Sequence, residues 1–296
     1  MNHTVFHNEF LLAVRSKAII LTIIIAGALV IYGQLSTYHS VAQCISQNDS
    51  FVQSHSAGIN GEIADNSQIE KSTVDAYQIL QPAYAVNNTQ ALLATLLPVF
   101  FVVIASIIIG QEFSSRTAPI KAAYWGWPRV IGMKDLLLLV LIVLTFAVMT
   151  CIGAVTGLLN WQRITPVVQA HGSKMATVPP YSVFKQFAVV FLLTSVYCLL
   201  AAFVTLLTRK TFAGCLIPLL LMYFVEGQIP CPYLPAKLGA VLIQKSFLFS
   251  SFSFFMPNQA SAGTAETTCF ILLFLYSVLL FAACWAYACK QTIRQR

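Results

Sequence analysis

Residues 136–159 read LLLLVLIVLTFAVMTCIGAVTGLL, a run without a single charge. At about 1.5 Å per residue, a helix of this length crosses the roughly 30 Å of bilayer hydrocarbon. The run is continuously apolar and does not alternate with period two, so it predicts a helix and not a barrel strand. Five more runs of similar character flank it. Residues 18–38 (AIILTIIIAGALVIYGQLSTY), 91–110, 186–207, 212–229 and 268–289 complete a set of six predicted spans. Pro98 falls inside the second run, which lipid-embedded helices tolerate when neighbours re-satisfy the backbone. The first run is long for a signal peptide and no A-x-A site follows it, so it reads as an uncleaved anchor. The expected fold class is an all-α integral membrane protein.

Composition agrees. Charged residues make up 9% of the 296 and hydrophobic residues 58%, with a mean hydropathy of +0.76. Soluble domains carry about 25% charge, and a core of this chain length cannot hide so much apolar surface. Disordered, collagen-like and small disulfide-scaffold classes are excluded. The net charge of +7 does not indicate nucleic acid, because Lys and Arg occur singly or in pairs without aromatic platforms. Five of the eight cysteines (Cys151, Cys198, Cys215, Cys284, Cys289) lie in apolar stretches, as small hydrophobes do. Cys44, Cys231 and Cys269 fall in or near one set of connections, where a bridge is open but weakly indicated. No Cys/His spacing fits a metal site; His3 and His7 are the one close pair of histidines.

The basic residues orient the bundle. Arg15, Lys17, Arg116, Lys121, Arg129, Lys134, Arg209, Lys210, Lys290, Arg294 and Arg296 share one side, and Lys71, Arg163, Lys174, Lys185, Lys237 and Lys245 the other. The basic-rich side is expected to be cytoplasmic, placing both termini inside. Residues 39–90 then form a polar outer loop. Residues 230–267 form a second outer region, opening Pro230-Cys231-Pro232-Tyr233-Leu234-Pro235 and continuing through apolar residues 240–256. With Lys245 inside it, this stretch makes a poor span and reads as re-entrant or interfacial. Residues 1–17 carry Phe6, Phe10, Ala13 and Val14 on one helical face, with Glu9 largely elsewhere, as in an amphipathic helix lying in the inner interface. The remaining residues, 18–296, read as a single transmembrane domain.

Residues 110–135, GQEFSSRTAPIKAAYWGWPRVIGMKD, concentrate charge in a chain otherwise poor in it. Ser114, Ser115 and Thr117 are helix-start residues, and Gly126 and Pro128 are stops, so Ala118–Tyr124 is expected to form a short helix under the bilayer. The plain reading is that these charges anchor two helix ends at the head groups. The order of residues resembles the intracellular loop of ABC-2 type transporter permeases. Glu112, Arg116-Thr117, the apolar 120–124 stretch, Gly126-Trp127-Pro128-Arg129 and Lys134 match it. Arg116 stands where that family often has Gly, and the spacing from Thr117 to Arg129 is slightly long.

That resemblance implies a permease subunit that transports and does not catalyse. Glu112, Arg116, Thr117, Arg129 and Lys134 would couple it to a separate ATP-binding subunit, which would hold ATP and Mg. Phe6, Glu9 and Phe10 would belong to an elbow helix touching that subunit. A second permease subunit, identical or not, would complete the pathway. The chain has no G-x-x-x-x-G-K-[ST] phosphate loop of its own. The implied cargo is hydrophobic, peptide or drug-like, with export favoured.

Three rivals remain. A secondary transporter places ionisable groups at mid-membrane depth, and the six runs hold almost none. Glu226, near the end of the fifth run, reads either as an interfacial acid facing water or as a charge at an outer gate. A membrane enzyme lacks support from H-E-x-x-H or G-x-S-x-G. A toxin-immunity membrane protein is not separable by sequence from a permease with toxic cargo. Gly153 and Gly157 form a G-x-x-x-G in the third run, a pattern that allows close helix packing. Trp125, Trp127 and Trp161 read as interfacial anchors. Phe247, Phe249, Phe252, Phe254 and Phe255 read as lipid- or core-facing.

Overall fold

The computed structural model describes residues 2–56, 78–115, 117–170, 181–229, 231–248 and 265–294. Arg116, Lys71, Lys174, Pro230, Arg296, Phe249, Phe252, Phe254 and Phe255 lie outside the described residues, as does the 57–77 part of the 39–90 segment. Among the described residues, all regular structure is helical. The elements are α1 (Asn2–Arg15), α2 (Lys17–Ser56), α3 (Pro82–Ser114), α4 (Ala118–Trp125), α5 (Trp127–Ala170), α6 (Val183–Thr208), α7 (Thr211–Leu220), α8 (Pro235–Ser246) and α9 (Glu266–Arg294). Five of them, α2, α3, α5, α6 and α9, are long and apolar enough to cross a membrane.

The helices outrun the apolar stretches that announce them. Within 39–90, α2 continues to Ser56 and α3 begins at Pro82, so much of the expected loop is helix. Apolar composition marks where lipid is tolerated, whereas helical hydrogen bonding is local and accepts polar side chains. Val41 and Ile45, four apart on α2, bury one face of this polar extension against Leu80 and Ile164. At 211–229 the outcome is shorter. Ten residues of α7 are followed by a five-residue π turn at Leu221–Val225 and a last turn at Glu226–Gln228. Pro218, inside α7, has no N–H to give the helix ladder, and the π turn starts three residues later.

The chain divides into two compact units. The first comprises Met1–Ala26, Gln90–Ala147 and Ser182–Arg296. Helices α7, α8 and α9 all pack on α6. Tyr197, Cys198, Leu193 and Ala201 of α6 are inaccessible to solvent. Ser182 caps α6 by accepting a hydrogen bond from the Lys185 N–H, and Arg209 ends it in the left-handed conformation (φ 57°). Ser195 and Ser277 share a hydroxyl hydrogen bond of 2.8 Å between α6 and α9. Helix α8 is buried along most of its length, including Lys237, whose ammonium donates to the Ile229 carbonyl.

The second unit comprises Gly27–Thr89 and Val148–Tyr181. Here the G-x-x-x-G of α5 has a defined partner. A Cβ at Gly153 would overlap the Thr89 side chain, and one at Gly157 would overlap the Ala85 methyl. Ala85 and Thr89 are also four apart, so two small-residue steps mesh between α5 and α3. Gln34 of α2 closes the seam, donating to the Ala85 carbonyl (3.0 Å) and the Thr89 hydroxyl (2.9 Å). Asn160 donates in turn to the Gln34 carbonyl at 3.2 Å. All eight cysteines are free thiols, so Cys44, Cys231 and Cys269 form no bridge.

Candidate functional site: a buried four-charge cluster

Four helices of the first unit bring charged side chains to one point. Helix α3 ends at Ser114, and Glu112 in its last turn is 3% exposed. Thr117 precedes α4 but caps nothing with its side chain; its hydroxyl donates to Glu112 Oε2 at 2.7 Å. Ser115 bonds the Thr117 hydroxyl at 2.9 Å, fixing the linker between the helices. Pro119 suits the first turn of α4, where the missing N–H costs no helical bond. Gly126 ends α4 at φ 79°, a conformation that disfavours any side chain.

The cluster is built on Lys121, one turn into α4. Its ammonium lies 2.5 Å from Glu9 Oε1 and 2.7 Å from Glu112 Oε1. Lys134 of α5 reaches the same two acids, 3.2 Å from Glu9 Oε2 and 2.7 Å from Glu112 Oε1, and also donates to the Ile108 carbonyl at 2.8 Å. Two ammonium groups thus alternate with two carboxylates and the four charges sum to zero. Removing charges from water is costly, and only such dense pairing offsets it. Burial alone would lower the Lys121 pKa, but the hydrogen bonds it donates to Glu112 and Glu9 outweigh it and hold the ammonium above the ordinary lysine range.

Helix α4 owes its place to this cluster more than to a core. None of its eight residues is fully buried. Ala118, Ala122 and Trp125 rest against a core cluster that includes Ile109, Trp127, Ile131 and Leu206. Ile120 and Tyr124, also four apart, remain 60% and 80% exposed.

The sequence-derived candidates divide clearly. Glu112, Thr117 and Lys134 meet, and Glu9 joins them from α1. Glu9 is 3% exposed and faces inward, so it does not sit on a solvated face of α1. A carboxylate with two ammonium partners is drawn to them more strongly than amphipathic patterning predicts. On the same helix, Leu11 and Leu12 are exposed, Phe10 is half-buried, and Phe6 is helical with its side chain outside the description. Arg129 is exposed and makes no ion pair among the described residues. Lys121, at the centre of the cluster, is not one of the charged positions that match the loop resemblance. The signal that could have found it is that it alone is the basic residue within the short helix.

Three further positions depart from expectation. Glu226 does not face water; it is 6% exposed, accepting from the Tyr197 hydroxyl (2.9 Å) and the Ala236 N–H (2.7 Å). Ala236 is the second residue of α8, whose N-cap Leu234 has no capping side chain, so Glu226 satisfies an orphan N–H of that helix from ten residues upstream. Trp127 is 3% exposed with its ring edge-on to Phe113, and anchors a core instead of an interface. Asp135, beside Lys134, is inaccessible to solvent, and neither carboxylate oxygen has a hydrogen-bond partner among the described residues. Together with Glu112 and Lys134 it lies within helices long enough to span, which are therefore less free of ionisable groups than the apolar runs alone.

No group of three or more His, Cys, Asp or Glu among the described residues could hold a metal ion. Comparison with protein-family models, with curated proteins and with solved structures finds no match.

Proposed function

We propose that this chain is the membrane-spanning permease subunit of an ABC-2 type transporter, exporting a hydrophobic, peptide or drug-like cargo. In this reading it sits in the plasma membrane with both termini cytoplasmic. ATP and Mg reside on a separate ATP-binding subunit, and a second permease subunit completes the pathway. Thr211–Gln228 serves as a short fifth span among six, α1 as the elbow helix and α8 as the re-entrant element.

The observation that carries the reading is the attachment of α4. An exposed apolar pair, Ile120 and Tyr124, lies on a helix that is ion-paired through Lys121 to α1 and α3, and through those acids to α5. A push on the exposed face is carried to three helices by charges that cannot separate cheaply. Helices held only by loose apolar contact would slip.

Affinity purification of the tagged chain from its native membranes tests this. An ATP-binding subunit is expected to co-purify, and Ile120→Asp with Tyr124→Asp is expected to release it while the chain stays folded. If no ATP-binding subunit is recovered, the reading loses its basis. Asp135 favours the second reading, a proton-coupled secondary transporter, because a buried unpaired carboxylate in a spanning helix is a common proton site. Transport driven by a proton gradient without ATP, and lost in Asp135→Asn, would decide for it.

A further inference from the structure

Glu226 follows directly on the π turn of Leu221–Val225, and that turn decides where its carboxylate points. The Glu226 N–H donates to the Leu221 carbonyl, five residues back, where an α-helix would use Met222, four back. One π turn therefore takes up one residue more than an α turn. Each α-helical residue rotates the chain by about 100° and advances it by about 1.5 Å. From Glu226 onward the segment is thus set back by one residue against the register in which α7 starts. Closing the π turn to α would rotate Glu226 by about 100° and bring Val225, now exposed, to its place.

The segment is fixed on both sides of the turn. Upstream, Thr211 lies against Gly110 of α3 and Gly214 against Thr205 of α6, each so close that a Cβ on the glycine would overlap the threonine hydroxyl. Downstream, the Glu226 carboxylate accepts from the Tyr197 hydroxyl at 2.9 Å and from the Ala236 N–H at 2.7 Å, tying the segment to α6 and to α8. Hydrogen bonds to an ionised group are strong, and these two favour the rare π register. In the α register the carboxylate turns away and both are lost. Helix α8 has a second attachment at its far end, where Gln186 donates to the Ser246 carbonyl at 2.9 Å. Loss of the Ala236 bond with retention of this one frees the first turn of α8 and leaves its last turn in place.

We propose that the π turn is a register switch for α8. In the π register Glu226 holds α8 against α6; in the α register Val225 takes that position and α8 swings about its Ser246 end. The switch goes beyond the permease reading and does not rest on it, since it requires no ATP-binding subunit. The test is hydrogen exchange of residues 236–246 in the full chain in lipid nanodiscs, read by mass spectrometry with α6 as internal reference. Glu226→Ala is expected to speed exchange of α8 about tenfold and to leave α6 unchanged. Deletion of Phe224, which is 66% exposed, removes the surplus residue and leaves a continuous α-helix with Glu226 still facing Tyr197. Exchange of α8 in that variant is expected to fall about threefold or more below wild type, because the releasing register no longer exists.

The deletion separates the switch from an ordinary helix cap. If the π turn held no surplus residue, losing Phe224 would rotate Glu226 away from Tyr197 and speed exchange as Glu226→Ala does. Gel filtration and thermal midpoints establish folding. Glu226→Gln, which keeps one acceptor oxygen, replaces Glu226→Ala if that variant does not fold, and deletion of Val225 replaces that of Phe224. The proposal is overturned if the deletion speeds exchange of α8 or leaves it at the wild-type rate, if the Glu226 variant exchanges like the wild type, or if neither deletion folds.

Discussion

Replacing Lys121 with Met keeps an unbranched, helix-favouring side chain and removes only the charge. Glu9 and Glu112 are then left with Lys134 as their shared partner, a buried set carrying one net negative charge. Removing one partner of a buried pair costs about 3–5 kcal/mol. The Lys121 side chain is 15% exposed, which discounts that to about 2–3 kcal/mol. Glu9→Gln leaves the opposite imbalance, one net positive charge, at about the same cost. The double variant Glu9→Gln with Lys121→Met retains the neutral Glu112–Lys134 pair, so it should lose only about 1–2 kcal/mol. The expected coupling between the two positions is therefore about 3–4 kcal/mol, at the upper end of what residues in one ionic network show. Denaturant unfolding of the full chain in detergent, followed by circular dichroism, measures each corner of the cycle. Single losses below about 0.5 kcal/mol, or a double loss equal to the sum of the singles, would refute the assignment of α4's position to charge pairing. The Lys121 pKa is raised, so its contribution is present below the unfolded amine's value and is lost as pH rises through the folded one. Wild-type stability should accordingly show no loss from this group between neutrality and about pH 10.

The other predictions concern separate features. Gly153→Ala should cost about 1–3 kcal/mol by driving a methyl into Thr89, and Thr89→Ala in the same chain should recover part of it; no recovery in thermal unfolding would remove the seam from the account. Glu226→Ala leaves the Tyr197 hydroxyl and the Ala236 N–H without their acceptor and should cost about 2–4 kcal/mol, against about 1 kcal/mol for Tyr197→Phe; equal losses would contradict the capping role. Asp135→Asn removes a potential charge that no hydrogen bond among the described residues supports, so the unfolding midpoint should hold or rise; a loss beyond about 1 kcal/mol would show that the Lys134 ammonium stabilises the carboxylate.

Apolar length located the five long helices, because the cost of unpaired backbone in hydrocarbon leaves few alternatives. It misplaced their ends. Where α2 leaves apolar sequence, the helix is carried on by Val41 and Ile45, two residues in a polar field that carry no length signal. The break after Pro218 was hidden because a proline inside an apolar run reads the same in a kinked span and in a shortened one. Glu112, Thr117 and Lys134 were legible from their order along one loop. Glu9 and Lys121 were not, since their meeting depends on how α1 lies against α4, which no spacing within either helix encodes. The two environments of Glu226 and Asp135, one fully bonded and one with no hydrogen-bond partner among the described residues, look alike in sequence. They differ through a backbone N–H ten residues away and through Tyr197, more than a full helix upstream.

The neutrality of the Glu9–Lys121–Glu112–Lys134 set has an electrical consequence. Moving one elementary charge across 100 mV takes about 2.3 kcal/mol, and that work scales with the net charge displaced. Two ammonium groups travelling with two carboxylates displace none. A translation that carries the four together therefore moves no net charge of this set through the field and draws no work on it from a membrane potential. Energy to move α4 must then arrive mechanically, through its exposed face, or chemically, by changing the protonation of one member of the set.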